Sequence, residues 1–237
     1  EQGLDVRDTV TLPPAAAGRS VHFLLHGGLA PVSRTSGVQL VREVRPPKPA
    51  DFLPGTAPAD LPDGVPLEFF RVDLPKGGRT FTVEYRGRID HPIQDIGEAY
   101  ARGFGVTPGL VSAQGVYLSA SSAWVPWLGS GLVTFAVEAE QPPAWKLVSQ
   151  GARTAKAKDV VRWECADPQD EIFLVGGPLT EYASSSGAVE TLAFLRTPDP
   201  ALARKYLEAT DRYLRMYGTL LGPYLYPKFA LVENFWE

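Results

Sequence analysis

The residues that could bind a metal ion or take part in catalysis are few in this chain. His22 and His26 have the spacing at which two imidazoles on a helix share one zinc ion. Their segment, however, has the apolar pattern of a strand, in which four residues span about 13 Å at ~3.3 Å each. Because zinc–nitrogen bonds are only about 2 Å long, we interpret both histidines as strand or turn residues rather than as metal ligands.

A second group of metal-ligating residue types is His91, Asp95 and Glu98, which lie close together in a long irregular segment. Their spacing matches no pattern of metal ligands, and we interpret them as solvated loop residues. Cys165 is the only cysteine, so no disulfide can form within the chain. Its position beside Trp163 is typical of a small core residue, and nothing in the sequence points to a nucleophilic role.

Composition and charge restrict the functional class. The chain has 237 residues and a net charge of −4, and it has no basic run, so it lacks the electrostatic footprint of a nucleic-acid binder. No apolar stretch approaches the length of a transmembrane helix, and the single cysteine is compatible with both cytosol and periplasm. Three tryptophans, which we interpret as buried sheet residues, could instead form a sugar-stacking platform: Trp124, Trp127 and Trp145.

The elements that must position these residues are mostly strands. Short apolar segments with turn residues between them predict a mainly β protein, either a sandwich or a curved sheet. The predicted strands cover 4–12, 21–25, 37–44, 67–74, 80–86, 115–120, 132–139, 145–149, 159–164, 171–177, 189–195 and 229–235. Strands 67–74 and 80–86 are predicted to form a hairpin, and 88–110 a long loop with a short helical piece.

One strong helix is predicted near the end of the chain. Asp199 is a good N-cap, Pro200 suits the first helical position and Gly218 is predicted to end the helix. Apolar residues at spacings of four and three form one stripe along it: Leu202, Tyr206, Ala209, Tyr213 and Met216 or Tyr217. The change from strands alone to strand, strand, helix and strand predicts two domains, 1–170 and 171–237.

Several segments resemble the aminopeptidase N family of gluzincin zinc metallopeptidases. The strongest block is Ile172 to Asn234, with a strand, an amphipathic helix ending in Tyr217-Gly218, a Tyr-Pro-Lys turn and a strand that carries Glu-Asn. The segments 23–29, 115–118 and 124–126 are similar to the family in style. The resemblance implies a curved, saddle-like β domain followed by the α+β start of a thermolysin-like catalytic domain.

The family has a Gly-Ala-Met-Glu-Asn type motif on that last strand, and the matching positions here are Ala230, Leu231, Val232, Glu233 and Asn234. Glu233 and Asn234 match, whereas the first three positions differ. The resemblance implies that Glu233 binds the α-amine of a peptide substrate through a charge-assisted hydrogen bond. It also implies that Ala230 and Leu231 offer backbone groups to the substrate chain. The differences at Ala230 and Val232 are also compatible with a degenerate, non-catalytic relative.

The family's zinc site requires a His-Glu-x-x-His motif, which this sequence does not contain. We therefore expect no catalytic residue, metal ligand or cofactor in this chain, and we expect it to be inactive by itself. Zinc is expected in a missing remainder of the catalytic domain, which is one expected partner. The other is the N-terminus of a peptide substrate of the complete protein. Two alternatives are a non-catalytic β-rich binding or scaffold module and a carbohydrate-binding sandwich.

Overall fold

The computed structural model describes residues 3–45, 48, 52, 64–95, 105–129, 131–157 and 159–235. The described part of the chain is mostly β, with several antiparallel sheets and a single α-helix, as the sequence predicts. No helix among these residues combines the length and the apolar character needed to cross a lipid bilayer.

Two three-stranded antiparallel sheets pack against each other in the first part of the fold. Their strands are β1 (Leu4–Thr11), β2 (Ser20–His26), β3 (Leu29–Ser33), β4 (Gln39–Glu43), β5 (Leu67–Asp73) and β6 (Thr80–Gly87). One sheet has the order β1–β6–β3 and the other β2–β5–β4. The ring of Phe23 lies 5.4 Å from that of Phe70 in its own sheet and 6.1 Å from that of Phe81 in the other. Stacked aromatic rings therefore join the two inner faces.

The predicted hairpin of β5 and β6 is wrong, although both strands are confirmed. β5 pairs with β2 and β4, whereas β6 pairs with β1 and β3, so their connection passes from one sheet to the other. Gly77 in this connection has a φ of 78°, a conformation that favours glycine. Both strands carry apolar residues on alternate positions, and these residues meet in one core from opposite sides.

The middle of the chain forms three further sheets. Their strands are β7 (Gln94–Asp95), β8 (Gly105–Val106), β9 (Gly109–Val111), β10 (Val116–Leu118), β11 (Val133–Glu140), β12 (Trp145–Val148), β13 (Ala152–Lys156), β14 (Val160–Gln169) and β15 (Leu174–Pro178). The sheet orders are β7–β8, β12–β15–β10–β9 and β11–β14–β13. The segment predicted as a loop, 88–110, thus contains two short strands and part of β9. Its residues 96–104 lie outside the described part of the chain.

The last sheet contains β16 (Thr180–Ser186), β17 (Val189–Leu195) and β18 (Lys228–Val232), with helix α1 (Pro200–Leu221) between β17 and β18. β17 pairs antiparallel with β16 and parallel with β18. Because parallel neighbours in a sheet need a long crossover connection, α1 is what allows β18 to run beside β17.

The start of α1 is as predicted and its end is not. The Asp199 carboxylate accepts hydrogen bonds from the N–H groups of Ala201 and Leu202, which confirms the N-cap. The helix continues past Gly218 to Leu221, and Gly222, with a φ of 98°, follows it. Gly218 therefore lies inside the helix. A glycine at such a position lowers helix stability by only about 1 kcal/mol, which is not enough to end the helix.

The apolar stripe predicted for α1 does not face the sheet. The residues of α1 that are buried against β16 and β17 are the small Ala203 and Thr210. Tyr206, Tyr213 and Tyr217 are instead 42%, 59% and 51% exposed. Small side chains let the helix backbone approach the sheet closely at these two positions, and the three tyrosines are directed away from it.

Trp163 on β14 links the last sheet to the preceding two. Its side chain is fully buried, and its indole N–H donates to the carbonyl of Leu147 on β12 at 3.0 Å. The ammonium of Lys228 on β18 lies 4.9 Å from the ring centroid, and the guanidinium carbon of Arg153 on β13 lies 5.4 Å from it. Both cations are within the range of attraction to an aromatic face.

Arg153 adds a charged connection between the same sheets. Its guanidinium binds Glu181 on β16 at 2.8 Å and Glu190 on β17 at 2.7 Å, and Lys156 binds Glu181 at 2.8 Å. The side chains of Arg153 and Glu181 are only 11% and 9% exposed. Burial raises the pKa of Glu181, but the hydrogen bonds from Lys156 and Arg153 outweigh it and hold this pKa below its ordinary value.

Asp8 interrupts the apolar inner face of β1. It shares that face with Leu4, Val6 and Val10, because side chains alternate along a strand. Burial raises the pKa of Asp8 from its ordinary 3.8 to about 6. Burial and the nearby Asp8 also raise the pKa of Tyr85, whose buried hydroxyl has no hydrogen-bond partner in the described chain. An ionised Asp8 is therefore a cost to the fold at neutral pH.

Replacing Arg153 by Met should lower the free energy of unfolding by about 3 kcal/mol, because Glu181 is then left buried with Lys156 as its remaining partner. Chemical denaturation measures this change. Arg162→Met is the control, since Arg162 pairs with Glu164 on an exposed surface and should contribute little. Similar losses in the two variants would contradict a special role of the buried bridge.

Asp8→Asn should stabilise the protein at pH 8 and change it little at pH 3.5. Because the folded-state pKa of Asp8 is raised, its favourable contribution is complete below pH 3.8 and is lost as the pH rises through about 6. We expect Asn to restore about 2 kcal/mol of unfolding free energy at pH 8, measured by urea denaturation at both pH values. Asp5→Asn, on the exposed face of the same strand, should have no such pH-dependent effect.

Candidate functional site

The four residues predicted to bind substrate lie on or directly after β18. Among the described residues this strand pairs with β17 alone, so its other edge is unpaired. In the parallel register Ala230 lies opposite Leu192 and Leu231 opposite Ala193. Ala230 packs against the core, whereas Leu231 is on the other face of the sheet, beside α1. The backbone of this edge is available for pairing with an extended chain.

Glu233 lies directly after β18 and closes the end of the strand pair. Its N–H donates to the carbonyl of Phe194 at 2.9 Å, which continues the β17–β18 pairing. One oxygen of its carboxylate, Oε2, accepts the N–H of Arg196 at 2.5 Å. The side chain is exposed. A carboxylate has two oxygens and about four sites for donors, so the bond to Arg196 orients the group without exhausting its capacity.

A cavity of about 230 Å³ lies beside Glu233 and Asn234. Arg196, Tyr117 and Gln114 also contribute to its lining. The four predicted residues thus form one continuous edge, from Ala230 and Leu231 on the strand to Glu233 and Asn234 at the cavity.

Phe235 fixes the chain that follows this edge. Its ring lies against Gly115, where a Cβ would come within 2.4 Å of the ring. Only glycine allows this close approach, so Gly115 determines the path of the chain after Asn234.

An apolar groove of about 810 Å³ lies on the outer side of α1 and β18. It is lined on one side by the tyrosines of α1 and on the other by the segment that leads into β18. Several of these residues are strongly exposed for their type, including Tyr213 (59%), Leu221 (81%) and Leu225 (81%). Contiguous apolar surface of this kind ordinarily contacts another protein surface or a ligand.

His26 and His91 form a contact that sequence reasoning missed, because 65 residues separate them and no motif connects them. Their Nε2 atoms are 2.9 Å apart, and Nδ1 of His26 accepts the N–H of Gly28 at 2.9 Å. Nε2 of a neutral His26 must therefore carry the proton, and this N–H donates a hydrogen bond to Nε2 of His91. Burial, and secondarily His91, lower the pKa of His26 to about 4.

This histidine pair has no free site for a metal ion. Because Nδ1 of His26 accepts the N–H of Gly28, Nε2 of the neutral ring carries the proton. Nε2 therefore has no lone pair to offer a metal ion. His22 lies elsewhere, with Nε2 4.0 Å from Glu43. Within the described residues no three His, Cys, Asp or Glu side chains are grouped as metal ligands would be, and Glu98 lies outside these residues.

Cys165 and Trp124 occupy the core. Cys165 is 2% exposed, which confirms its interpretation as a core residue. Trp124 is 4% exposed, and its indole N–H donates to the carbonyl of Ile172 at 2.8 Å. Because Trp124 is buried, the three tryptophans do not form an exposed platform, and the hypothesis of a sugar-stacking surface built from them is wrong.

No protein-family model matches the sequence, and no curated protein is similar to it at a significant level. Solved structures, however, share the fold. An M1 zinc metallopeptidase mutant from Deinococcus radiodurans, bound to a Tyr-Ser-Ala substrate, aligns with 98% of this chain and 52% of its own, with a TM-score of 0.61 and 18% identity. Yeast LTA4 hydrolase in complex with bestatin aligns with 98% of this chain and 35% of its own, with a TM-score of 0.58 and 11% identity.

A third similar structure is an aminopeptidase N family protein from Idiomarina loihiensis, with a TM-score of 0.51 and 10% identity over 97% of this chain. The structural neighbours are thus M1 zinc metallopeptidases, and the strands described above match the N-terminal β domain of these proteins. The chain spans about half the length of the Deinococcus structure and about a third of the other two. At such low identity the likeness concerns the fold.

Proposed function

We propose that this chain is the front part of a zinc aminopeptidase-like protein, in which it supplies one wall of a peptide-binding cleft. The observation that carries the proposal is the unpaired edge of β18, which ends at the Glu233 carboxylate and the adjacent cavity. A sheet edge can bind an extended peptide through its backbone. A carboxylate at the end of that edge can bind the peptide's α-ammonium group and so select for a free N-terminus.

The division of labour within the chain follows from its resemblance to these peptidases. Residues 1–170 would form the saddle-like β domain, and residues 171–237 would open the catalytic domain with β16, β17, α1 and β18. The donor set for zinc is not found among the described residues. The zinc ion would therefore be held by a further part of the catalytic domain.

The apolar groove supports the same arrangement. Among the described residues α1 is the one α-helix on this side of the sheet, and Leu221 and Leu225 are left uncovered, each 81% exposed. The remainder of the catalytic domain is the occupant we propose for this surface. The alignment with only half of the Deinococcus chain is in keeping with a second half that packs there.

One observation favours a second candidate, a non-catalytic binding or scaffold module with the same architecture. The hydrogen bond from Arg196 N–H to Glu233 gives this carboxylate a structural role even without a substrate. The differences at Ala230, Leu231 and Val232 from the peptidase motif point in the same direction.

Glu233→Gln separates the two functions. If the peptidase function is correct, the protein purified from its natural source should hydrolyse aminoacyl substrates. Introducing the substitution into that protein should then raise KM about tenfold or more, because a charge-assisted bond to the α-ammonium is lost. Gln keeps an acceptor for Arg196, so the fold should be unaffected. Glu171→Gln is the matched control, since Glu171 also accepts a backbone N–H, from Ala120 at 3.1 Å. An unchanged KM in the Glu233 variant would contradict the assignment.

The proposed covering of the groove predicts that the 237-residue chain by itself associates as its concentration rises. The double substitution Leu221→Asn and Leu225→Asn should abolish this association, as measured by sedimentation equilibrium, because it removes the most exposed apolar groups of the groove. Val44→Asn is the control, since Val44 is also fully exposed but is not part of the groove. A chain that stays monomeric at every concentration would contradict the proposal.

A further inference from the structure

Lys228 has a side-chain amine that the fold partly buries. It begins β18, where it lies opposite Glu190 of β17, and its side chain is half-buried over the ring of Trp163. The Glu190 carboxylate binds Arg153 at 2.7 Å. Arg153 lies over the same tryptophan ring, so a second positive charge is close to the Lys228 amine.

Burial makes the neutral form of this amine more accessible than that of a solvated lysine. Burial lowers the pKa of Lys228 from its ordinary 10.5 to about 8, and the positive charge of Arg153 acts in the same direction. Glu190 on β17 and Cys165 on β14 act against these effects without cancelling them. At pH 7 about a tenth of such an amine is unprotonated, compared with well under about 0.1% of a solvated lysine.

The amine borders a cavity that could hold a ligand. A cavity of about 390 Å³ lies between β18 and the sheet that contains β12. This volume is within the range of small-molecule sites. Its lining includes the aromatic residues Phe173, Tyr224, Tyr226 and Phe229. Cys165 and Lys228 also line it.

Three of the polar side chains at this cavity already make hydrogen bonds within the protein. Ser149 donates to the carbonyl of Phe173 at 2.7 Å, and Gln150 bonds both Phe173 N–H and Glu171 O at 2.9 Å. The hydroxyl of Tyr224 donates to the carbonyl of Lys228 at 3.4 Å. The remaining walls therefore suit an aromatic or apolar molecule, with the amine of Lys228 as the reactive group.

We propose that Lys228 is a nucleophilic amine that captures aldehydes with an aromatic or apolar body. The lone pair of the neutral amine forms a bond to the carbonyl carbon, and the carbonyl oxygen takes up a proton. The nitrogen loses its protons as the oxygen leaves as water, which yields an imine with no change in oxidation state. Desolvation in an apolar pocket and a neighbouring cation are the two conditions that activate lysines for this chemistry.

Two other lysines provide internal references. Lys76 lies exposed in the connection between β5 and β6. Lys156 is held by Glu181, with Nζ 2.8 Å from both carboxylate oxygens. Neither lines the cavity.

The test uses the 237-residue chain with benzaldehyde and cyanoborohydride, which reduces the imine to a stable benzylamine. Peptide mass spectrometry then measures the rate at each lysine. At pH 7 we expect Lys228 to react about tenfold faster than Lys76 or more. Its rate should saturate with benzaldehyde concentration, because binding in the cavity precedes reaction, and should rise with a midpoint near pH 8.

Lys228→Arg should remove the fast phase of labelling from the intact mass, whereas Lys76→Arg should retain it. Arginine keeps a cation over Trp163, and circular dichroism checks that the fold is retained. Equal rates at Lys228 and Lys76 in the unmodified sequence would overturn the proposal, whether or not the variant folds. A rate at Lys228 that stays linear in benzaldehyde would overturn the binding step.

Discussion

The contacts of the Trp163 ring hold the last sheet against the rest of the fold. Its indole N–H is bonded to β12, its faces contact cations from β13 and β18, and its backbone belongs to β14. One cation, Arg153, continues to the carboxylates on β16 and β17. Because a single side chain joins so many strands, the position of β18 depends on packing established by the sheets before it.

The edge of β18 is a consequence of how α1 packs. Ala203 and Thr210 let the helix lie close to β16 and β17, so α1 covers one side of the sheet and returns the chain to run parallel to β17. The same packing turns the tyrosines of the helix away from the sheet and creates the groove. Glu233 then holds the end of the strand pair through Arg196. The main features of the candidate site, an open edge, a carboxylate and an apolar groove, thus arise from one crossover.

The sequence predicted local structure better than pairing. The strand positions and the N-cap at Asp199 are local signals of alternation and capping, and they are confirmed. β3, β13 and β16 were missed, because β3 contains Pro31 and the other two strands have few large apolar residues. The hairpin was wrong because apolar alternation identifies a face of a strand but not the sheet to which it belongs.

The stripe on α1 shows the same limit at the level of packing. Large apolar residues at helical spacing normally face a core, but here the fully buried positions of the helix are the small Ala203 and Thr210, and the tyrosines of the stripe are exposed. The likeness of the fold to M1 metallopeptidases agrees with the resemblance in the sequence, whereas the roles of Glu233 and its neighbours are not decided by fold. The pair of His26 and His91, and the site of Lys228, depend on contacts between distant segments that no local pattern encodes.

The order of strands in the first two sheets has a consequence for how the protein is made. β1 has β6 as its partner, with Leu4 opposite Gly87 and Thr11 opposite Thr80. At a synthesis rate of about 5–20 residues per second, β1 leaves the ribosome about 4–15 s before β6 is available. Throughout that interval the backbone N–H and C=O groups of β1 have no native strand partner, so the nascent chain passes through a state with an unpaired strand that chaperones can recognise before this sheet closes.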